Sequence, residues 1–339
     1  MSKSWMPLAV TSVIALRLMA GPPAAAQIYN VAELTTTEIE SLDRSKTVVV
    51  LPNGILEEHG PYLPSFTDGY MAERLTRDLA ESIVKRPGWN ALVFPMIPLG
   101  NGGANEIARK YSFSGTYTVR FATLRAVFMD LASELGEQGF RWIFVVHSHG
   151  APNHSRALDQ AGDYFHDTYG GQMVNLAGIA FPSGRASEHA TKTEEQEQED
   201  GFTPHAGMVE TSRVKFLRPD LVKDEVSRAK PLTARNWDDL EPLAKADDWP
   251  GYWGSPRLAT AAFGANHLDT VSSALVEVAS GILDGDDPRE LARSSDEARN
   301  NPVNVAIDAD AIDHDREIRK KQQDWLVGEG LSDDNGPAN

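Results

Sequence analysis

The sequence contains no cysteine. That excludes thiolate nucleophiles, disulfides and Cys-type structural zinc, so any bound metal must sit on His, Asp or Glu. An oxidising compartment permits disulfides without requiring them, and a domain of this size stands without such staples. Basic residues are also scarce: 32 Lys and Arg against 49 Asp and Glu give a formal charge of −17. A surface that acidic disfavours nucleic acid and anionic membrane as partners. Internal repeats are missing, and no apolar run reaches the roughly 20 residues a membrane span needs. What remains is an ordinary globular composition, 41% hydrophobic and 24% charged over 339 residues. It suffices for one large α/β domain or two small ones.

The first 26 residues do not read as fold. Lys3 gives a positive start, Met6 to Ala20 is mostly apolar despite Arg17, and Ala24-Ala25-Ala26 precedes Gln27 as a small-residue cleavage pattern. This is the pattern of a secretory signal peptide, with a buried or membrane-anchoring helix as the alternative. Pro22-Pro23 ends the stretch, no Cys follows it for a lipid anchor, and no twin-Arg pair precedes it. A periplasmic or secreted protein is expected, exported unfolded and loaded with metal outside the cytoplasm, with no membrane attachment once the leader is removed. The mature chain then carries −19, because Lys3 and Arg17 leave with the leader.

Residues 47–52 (Thr-Val-Val-Val-Leu-Pro) read as a buried strand. Helical spacing of Met71, Leu75, Leu79 and Ile83 predicts a helix over 68–84. A second strand is expected at 91–97, and a helix from Gly115-Thr116 to about Gln138. A third strand follows at 142–146, a helix at 156–169 and a fourth strand at 173–180. Strands alternating with helices predict a largely parallel sheet covered on both faces. The acidic stretch 186–200 is expected to be a solvated loop or exposed helix, placed where a mobile lid would sit. Residues 286–339 form a charged extension with one helix (312–326) and a polar, partly disordered tail.

Three segments carry metal-type residues. Glu57 and His59 follow the first strand, two apart, so that in an extended segment both leave the sheet end on one side. Asp68 opens the next helix, where its bland role is a cap and its other role is to turn back toward Glu57 and His59. His147 and His149 follow the third strand, at the sheet end where ligands bind in open α/β folds. One is expected to face a site and the other to face away. His205 and Glu210 are polar residues in a stretch with few charges. Oxygen and nitrogen donors suit Zn²⁺, Mn²⁺ or Fe²⁺. Two such ions about 3.5–4 Å apart, sharing a carboxylate, would activate a water and polarise a carbonyl.

The run Leu51-Pro52-x-Gly54-x-x-Glu57-x-His59-Gly60-Pro61-x-Leu63-Pro64-x-x-Thr67-Asp68 resembles the signature of the creatininase (creatinine amidohydrolase) family. So do Gly115-Thr116, Gly139-Phe140-Arg141 and His149-Gly150. His205-Ala206-Gly207-x-x-Glu210-Thr211-Ser212 is similar to the family's HAG-x-x-ETS motif, and Gly254-x-Pro256-x-x-Ala259-Thr260-x-x-x-Gly264 to its late glycine-rich segment. The likeness covers roughly residues 45–285, and the motifs come in the family's order.

The resemblance implies a three-layer α/β/α sandwich over residues 27–285 with two divalent metal ions. It places Glu57, His59, Asp68 and His149 on ligand positions, with Asp68 bridging. It places His205 on the catalytic His that carries a proton to the leaving nitrogen. Glu210 falls on a motif Glu that ligates in members lacking another carboxylate. Homo-oligomers, often hexamers, are implied as well. The sequence departs from creatininase proper in two places. Ala151 stands where a ligand Glu follows the strand-end His by two, so that either Glu210 completes the second site or the site holds one metal. Gly201 stands where a substrate-facing Trp precedes the HAG His by four. Both turn the expectation away from creatinine itself. His147 and His154 flank the ligand as substrate or supporting contacts.

The expected activity is hydrolysis of a C–N amide bond in a small amide or short peptide. A metallopeptidase or deformylase on the same site is the nearest alternative. A periplasmic metal- or ligand-binding protein without catalysis is the other, though binding alone has no need of a proton donor at His205.

Overall fold

The computed structural model describes residues 26–331. Residues 1–25 of the expected leader and 332–339 of the expected tail lie outside the described residues. Five strands form one parallel sheet: β1 (Ile28–Asn30), β2 (Thr47–Pro52), β3 (Asn90–Val93), β4 (Trp142–Val146) and β5 (Gln172–Asn175). Their spatial order is β1-β3-β2-β4-β5. β2 is central, and each of its residues is buried because both faces are covered. Its alternation sorts the core in two. Val48 and Val50 join a cluster with Phe144, Val146 and Val174 on one face. Val49 and Leu51 join Leu92, Ile143, Val145 and Met173 on the other.

Helices cover each face. α1 (Thr36–Glu40) precedes β2, and α2 (Thr67–Ile83) follows it. α3 (Phe121–Glu137) and α4 (Pro152–Tyr169) lie together on the Val49 face, bringing Leu124, Phe128, Leu158 and Phe165 to it. α5 (Leu176–Ala180) joins α2 on the Val48 face, with Leu176 and Ile179 against Leu75 and Leu79. α6 (Glu194–Asp200), α7 (Met208–Leu217) and α8 (Trp237–Lys245) build the region above the strand ends. α9 (Ala261–Asp284) returns to pack on α2, placing Val271, Leu275 and Ile282 in the first cluster. After α10 (Ser294–Glu297), a long α11 (Pro302–Gly328) closes the described chain. The result is a mixed α/β fold, three layers deep. Among the described residues no helix is long and apolar enough to cross a membrane.

Several element bounds differ from expectation. β3 stops at Val93 rather than 97, because Pro95 removes a ladder donor and Ile97 makes only an isolated bridge to Asn53. α3 begins at Phe121, not near 115. Gly115 has φ +100°, and the N–H groups of Tyr117 and Val119 bond instead to the carbonyls of Leu56 and Gly100. The expected strand 173–180 is a short strand followed by a helix: the Asn175 side chain accepts from the Gly178 N–H at 3.1 Å and caps α5. α4 starts four residues early, with Pro152 at its first position. The acidic stretch holds a 3-10 turn (Ala186–His189) and α6, the latter opened by a Thr193–Gln196 capping box. Its last residue, Asp200, is not solvated: it is fully buried and accepts from Lys192 Nζ at 2.7 Å, Met208 N at 3.0 Å and Ser255 N at 2.8 Å.

Candidate metal centre

β2 and β4 are neighbours, and the chain leaves their carboxyl ends in opposite directions, to β3 on one side and β5 on the other. That switch point is the crevice where open α/β sheets bind ligands. Glu57 and His59 come from the loop after β2, Asp68 from the first turn of α2, and His149 from just beyond β4. His205 and Glu210 come from the turn into α7. All but Glu210 are buried.

The donors converge in overlapping triads. Glu57, Asp68 and His149 offer atoms within 4.8 Å of one another; so do His59, Asp68 and Glu210, and likewise Glu57, His59 and His205. Asp68 belongs to the first two and so lies between them. It does not cap α2, whose start carries no side-chain cap. His149 Nδ1 lies 3.0 Å from Glu57 Oε2 and 3.4 Å from Asp68 Oδ2, and His59 Nε2 lies 3.7 Å from Glu210 Oε2.

Backbone carbonyls fix which nitrogen of each ring faces inward. His149 Nε2 sits 2.8 Å from the Gly102 carbonyl and donates there, leaving Nδ1 for the cluster. His59 Nδ1 sits 3.1 Å from the Glu57 carbonyl, leaving Nε2. His205 Nε2 sits 2.6 Å from the Glu58 carbonyl, leaving Nδ1, which lies 3.6 Å from Glu57 Oε1 and 4.0 Å from Glu210 Oε2. Outer hydrogen bonds of this kind set tautomer and ring direction in metal sites. The carboxylates are held in the same way. Glu57 Oε1 accepts from the Ala104 N–H at 2.6 Å, and Glu210 Oε2 from the Ala206 N–H at 2.6 Å. Ala206 adopts φ 53°, a left-handed turn that folds Glu210 back beside His205.

Burial and charge are in conflict here. Asp68 Oδ2, His59 Nε2 and Glu58 Oε1 are buried without a hydrogen-bond partner. Burial opposes ionisation of Glu57, yet the imidazoles of His205 and His149 hold its carboxyl below the usual range. Burial likewise opposes a charged His149, but the neighbouring carboxylates, Glu57 first and then Asp68, hold it well above the ordinary value. His205, disfavoured by burial, is pushed up to about 10 by Glu57 and Glu58. A pocket of carboxylates that draws protons onto His149 and His205 has the chemistry to draw cations instead. The donor set, oxygen and imidazole nitrogen only, fits Zn²⁺, Mn²⁺ or Fe²⁺.

His147 and His154 lie behind His149, their rings 4.8 Å from each other and that of His154 5.1 Å from His149. Neither lines the cavity. His147 Nε2 pairs with Asn175 Oδ1 at 2.7 Å, and His154 Nδ1 accepts from the Asn101 N–H at 3.3 Å. Thus one of the strand-end histidines faces the cluster and the other faces away.

Comparison with known proteins follows the geometry. The chain matches the creatininase family, described as creatinine amidohydrolase, over residues 32–279. The chain belongs to the creatininase family. With it the chain joins the hydrolases that act on C–N bonds. Creatinine amidohydrolase of Pseudomonas putida is 27% identical over 247 residues, covering 68% of this chain and 88% of that one. The mycofactocin precursor peptide peptidase of Mycobacterium ulcerans is 30% identical over 123 residues, 35% of this chain and 46% of that protein. Among solved structures, a manganese creatininase shares the fold with a TM-score of 0.54 at 22% identity, over 75% of this chain and 98% of that one.

Against that family pattern the two departures acquire a setting. Ala151 leaves the second triad to Glu210, which the left-handed Ala206 turn carries there. Gly201 cannot hold a Trp: a Cβ at that position would lie 2.4 Å from the Ala234 carbonyl, and φ is +60°. Trp237, at the start of α8, lines the cavity. No sequence signal had singled out Trp237. The cavity holds about 150 Å³ and runs from Glu57, Asp68, His149, His205 and Glu210 outward past Trp237 to α11.

Proposed function

We propose that this creatininase-family protein is a metal-dependent amidohydrolase. Glu57, Asp68 and His149 would hold one divalent ion, and His59, Asp68 and Glu210 a second, with Asp68 common to both sets. The observation that carries this reading is that Asp68 is common to these two triads and its Oδ2 is buried and unpaired. When bound, the ions supply Lewis-acid polarisation of an amide carbonyl and acidify a water. The chain's own part is positional. Nε2 of His205 is tied to the Glu58 carbonyl, so Nδ1 is the atom that gives a proton to the departing nitrogen. Glu57 and Glu210 border that nitrogen and stabilise the ring while it carries the proton.

The substrate class is a small amide or short peptide, in keeping with a cavity of about 150 Å³. A peptidase reading draws on the mycobacterial relative, and the same donors serve it. Export by way of the leader at 1–26 and assembly into homo-oligomers are parts of the same proposal that rest on the sequence and the family. Metal analysis of the mature protein, then assays on cyclic amides, formamides and short peptides, test the whole. Two equivalents of metal with turnover on one amide class are expected. Two equivalents with no turnover on any would favour a binding protein.

A further inference from the structure

α11 lies beyond residue 279, where the family match ends, yet it forms a wall of the cavity. Asn304, Ile307 and Asp308 line it from one helix face, the i, i+3 and i+4 spacing. The helix is started at that point by Asn301, whose side chain accepts from the Val303 N–H at 2.9 Å, and by Pro302 at the first position. It is fastened as well. Arg109 donates to Asp310 at 2.6 Å, Asp315 accepts from the Phe121 N–H at 2.7 Å, and Tyr111 stacks on His314 at 4.1 Å. The segment it docks on, 101–111, is the one whose backbone holds Glu57 and His149.

The charges on this wall are unbalanced. Glu106 and Asp308 both line the cavity, and among the described residues neither has an ion-pair partner within 4 Å. Arg156 acts on Asp308 only at longer range. Asp315 and Glu57 add further negative charge around Glu106. The cations that line the cavity are engaged elsewhere. Arg185 stacks over the Phe202 ring at 4.1 Å and pairs with Glu188, and Arg213 donates to His267 Nδ1 at 3.0 Å. Burial pushes the Glu106 carboxyl up to about 7 and that of Asp308 up to about 6. Both carboxyls are therefore short of a counter-charge.

Resting on the function proposed above, we infer that α11 is the specificity wall of this enzyme, and that the carboxyls of Asp308 and Glu106, each on the cavity wall, select a substrate that carries a cationic group besides the scissile amide. Such a substrate is bipolar in the sense the cavity requires, with a carbonyl toward the ions and an ammonium or guanidinium toward α11. An ω-amino amide or a short peptide with a free amine belongs to this class.

The test uses the full mature chain loaded with metal, and two series of probes. One is the ω-aminoalkanamides of three to six carbons; the other is the alkanamides in which methyl replaces the ammonium. Calorimetry reads binding without any need for turnover, and ammonia release reads hydrolysis. At least one ω-aminoalkanamide should bind about tenfold tighter than its methyl counterpart, the weight of one charge-assisted hydrogen bond. Asp308→Asn and Glu106→Gln should each pull that ratio toward one, chiefly through Kd or KM, with metal content retained. Equal binding of the two series overturns the inference, as does a ratio that neither variant changes. A strong ammonium preference with no hydrolysis would keep the inference and remove the amidase reading, so the two fail separately.

Discussion

His147 and His149 stand two residues apart at the end of the same strand, both buried, and their chemistry is opposite. His149 faces Glu57 and Asp68 and is held well above the ordinary value despite its burial. His147 faces Asn175, and burial pushes it down to about 4; His154 behind it is also held well below. The difference lies in the neighbours, not in depth. An imidazole surrounded by carboxylates is poised to take a cation, and one surrounded by amides and other rings is a neutral core residue. Strand alternation would have put both on one side, but β4 ends at Val146, so neither residue is held to the pleat.

The sharpest way to break that contrast is to remove the shared carboxylate. Asp68→Ala should abolish both metal equivalents and lower kcat/KM by on the order of a thousandfold or more, read by metal analysis beside turnover. Retention of two ions would sink the shared-ligand reading. A smaller loss is expected for His205→Ala: kcat should fall about 10²- to 10³-fold while metal stays at the wild-type level. Metal loss in that variant would make His205 a ligand instead.

Within the histidine pair, His149→Asn should cost a metal equivalent. His147→Asn should keep the metal and cost about 1–3 kcal/mol of stability by disturbing the buried bond to Asn175. Equal metal loss in both variants would erase the distinction.

The smallest effect tests burial without a cluster. Asp159 of α4 accepts from Ser295 Oγ at 2.5 Å, and burial pushes its carboxyl up to about 6. A carboxyl whose folded value is raised contributes stability that is complete below its unfolded value and lost as pH rises through the folded one. Asp159→Asn should therefore be more stable than wild type at pH 8 by about 1–2 kcal/mol, with the gap closing below pH 4. Melting curves at several pH values read this directly, and a gap independent of pH would point to packing instead.

The sequence announces what local chemistry dictates. β2 and β4 are legible because a run of Val, Ile and Phe between turn residues has little alternative. The short spacings around Glu57, His59 and Asp68 suggest a shared site, while His205 is singled out only by the family likeness. What escapes it depends on distant partners. α3 starts at Phe121 because Asp315, 194 residues away, accepts its first N–H. Asp200 reads as part of a solvated acidic run, yet it is the buried acceptor joining α6, the start of α7 and Ser255. α5 hides in an apolar run that fits strand or helix equally, and only the Asn175 cap decides it. β1 and α1 carry no motif, α9 shows only the Thr260 and Gly264 of the late glycine-rich segment, and Trp237 and the α11 wall lie outside any spacing rule.

The long reach of that last helix sets an order of events. The hydrogen bond from Phe121 to Asp315 and the pair between Arg109 and Asp310 close loops of 194 and 201 residues. The ligand-bearing loops are joined by contacts within residues 57–210, whereas the outer side of the cavity waits on these two longer closures. On the inference drawn above, discrimination among substrates would rest on the contacts that close the longest loops of the fold.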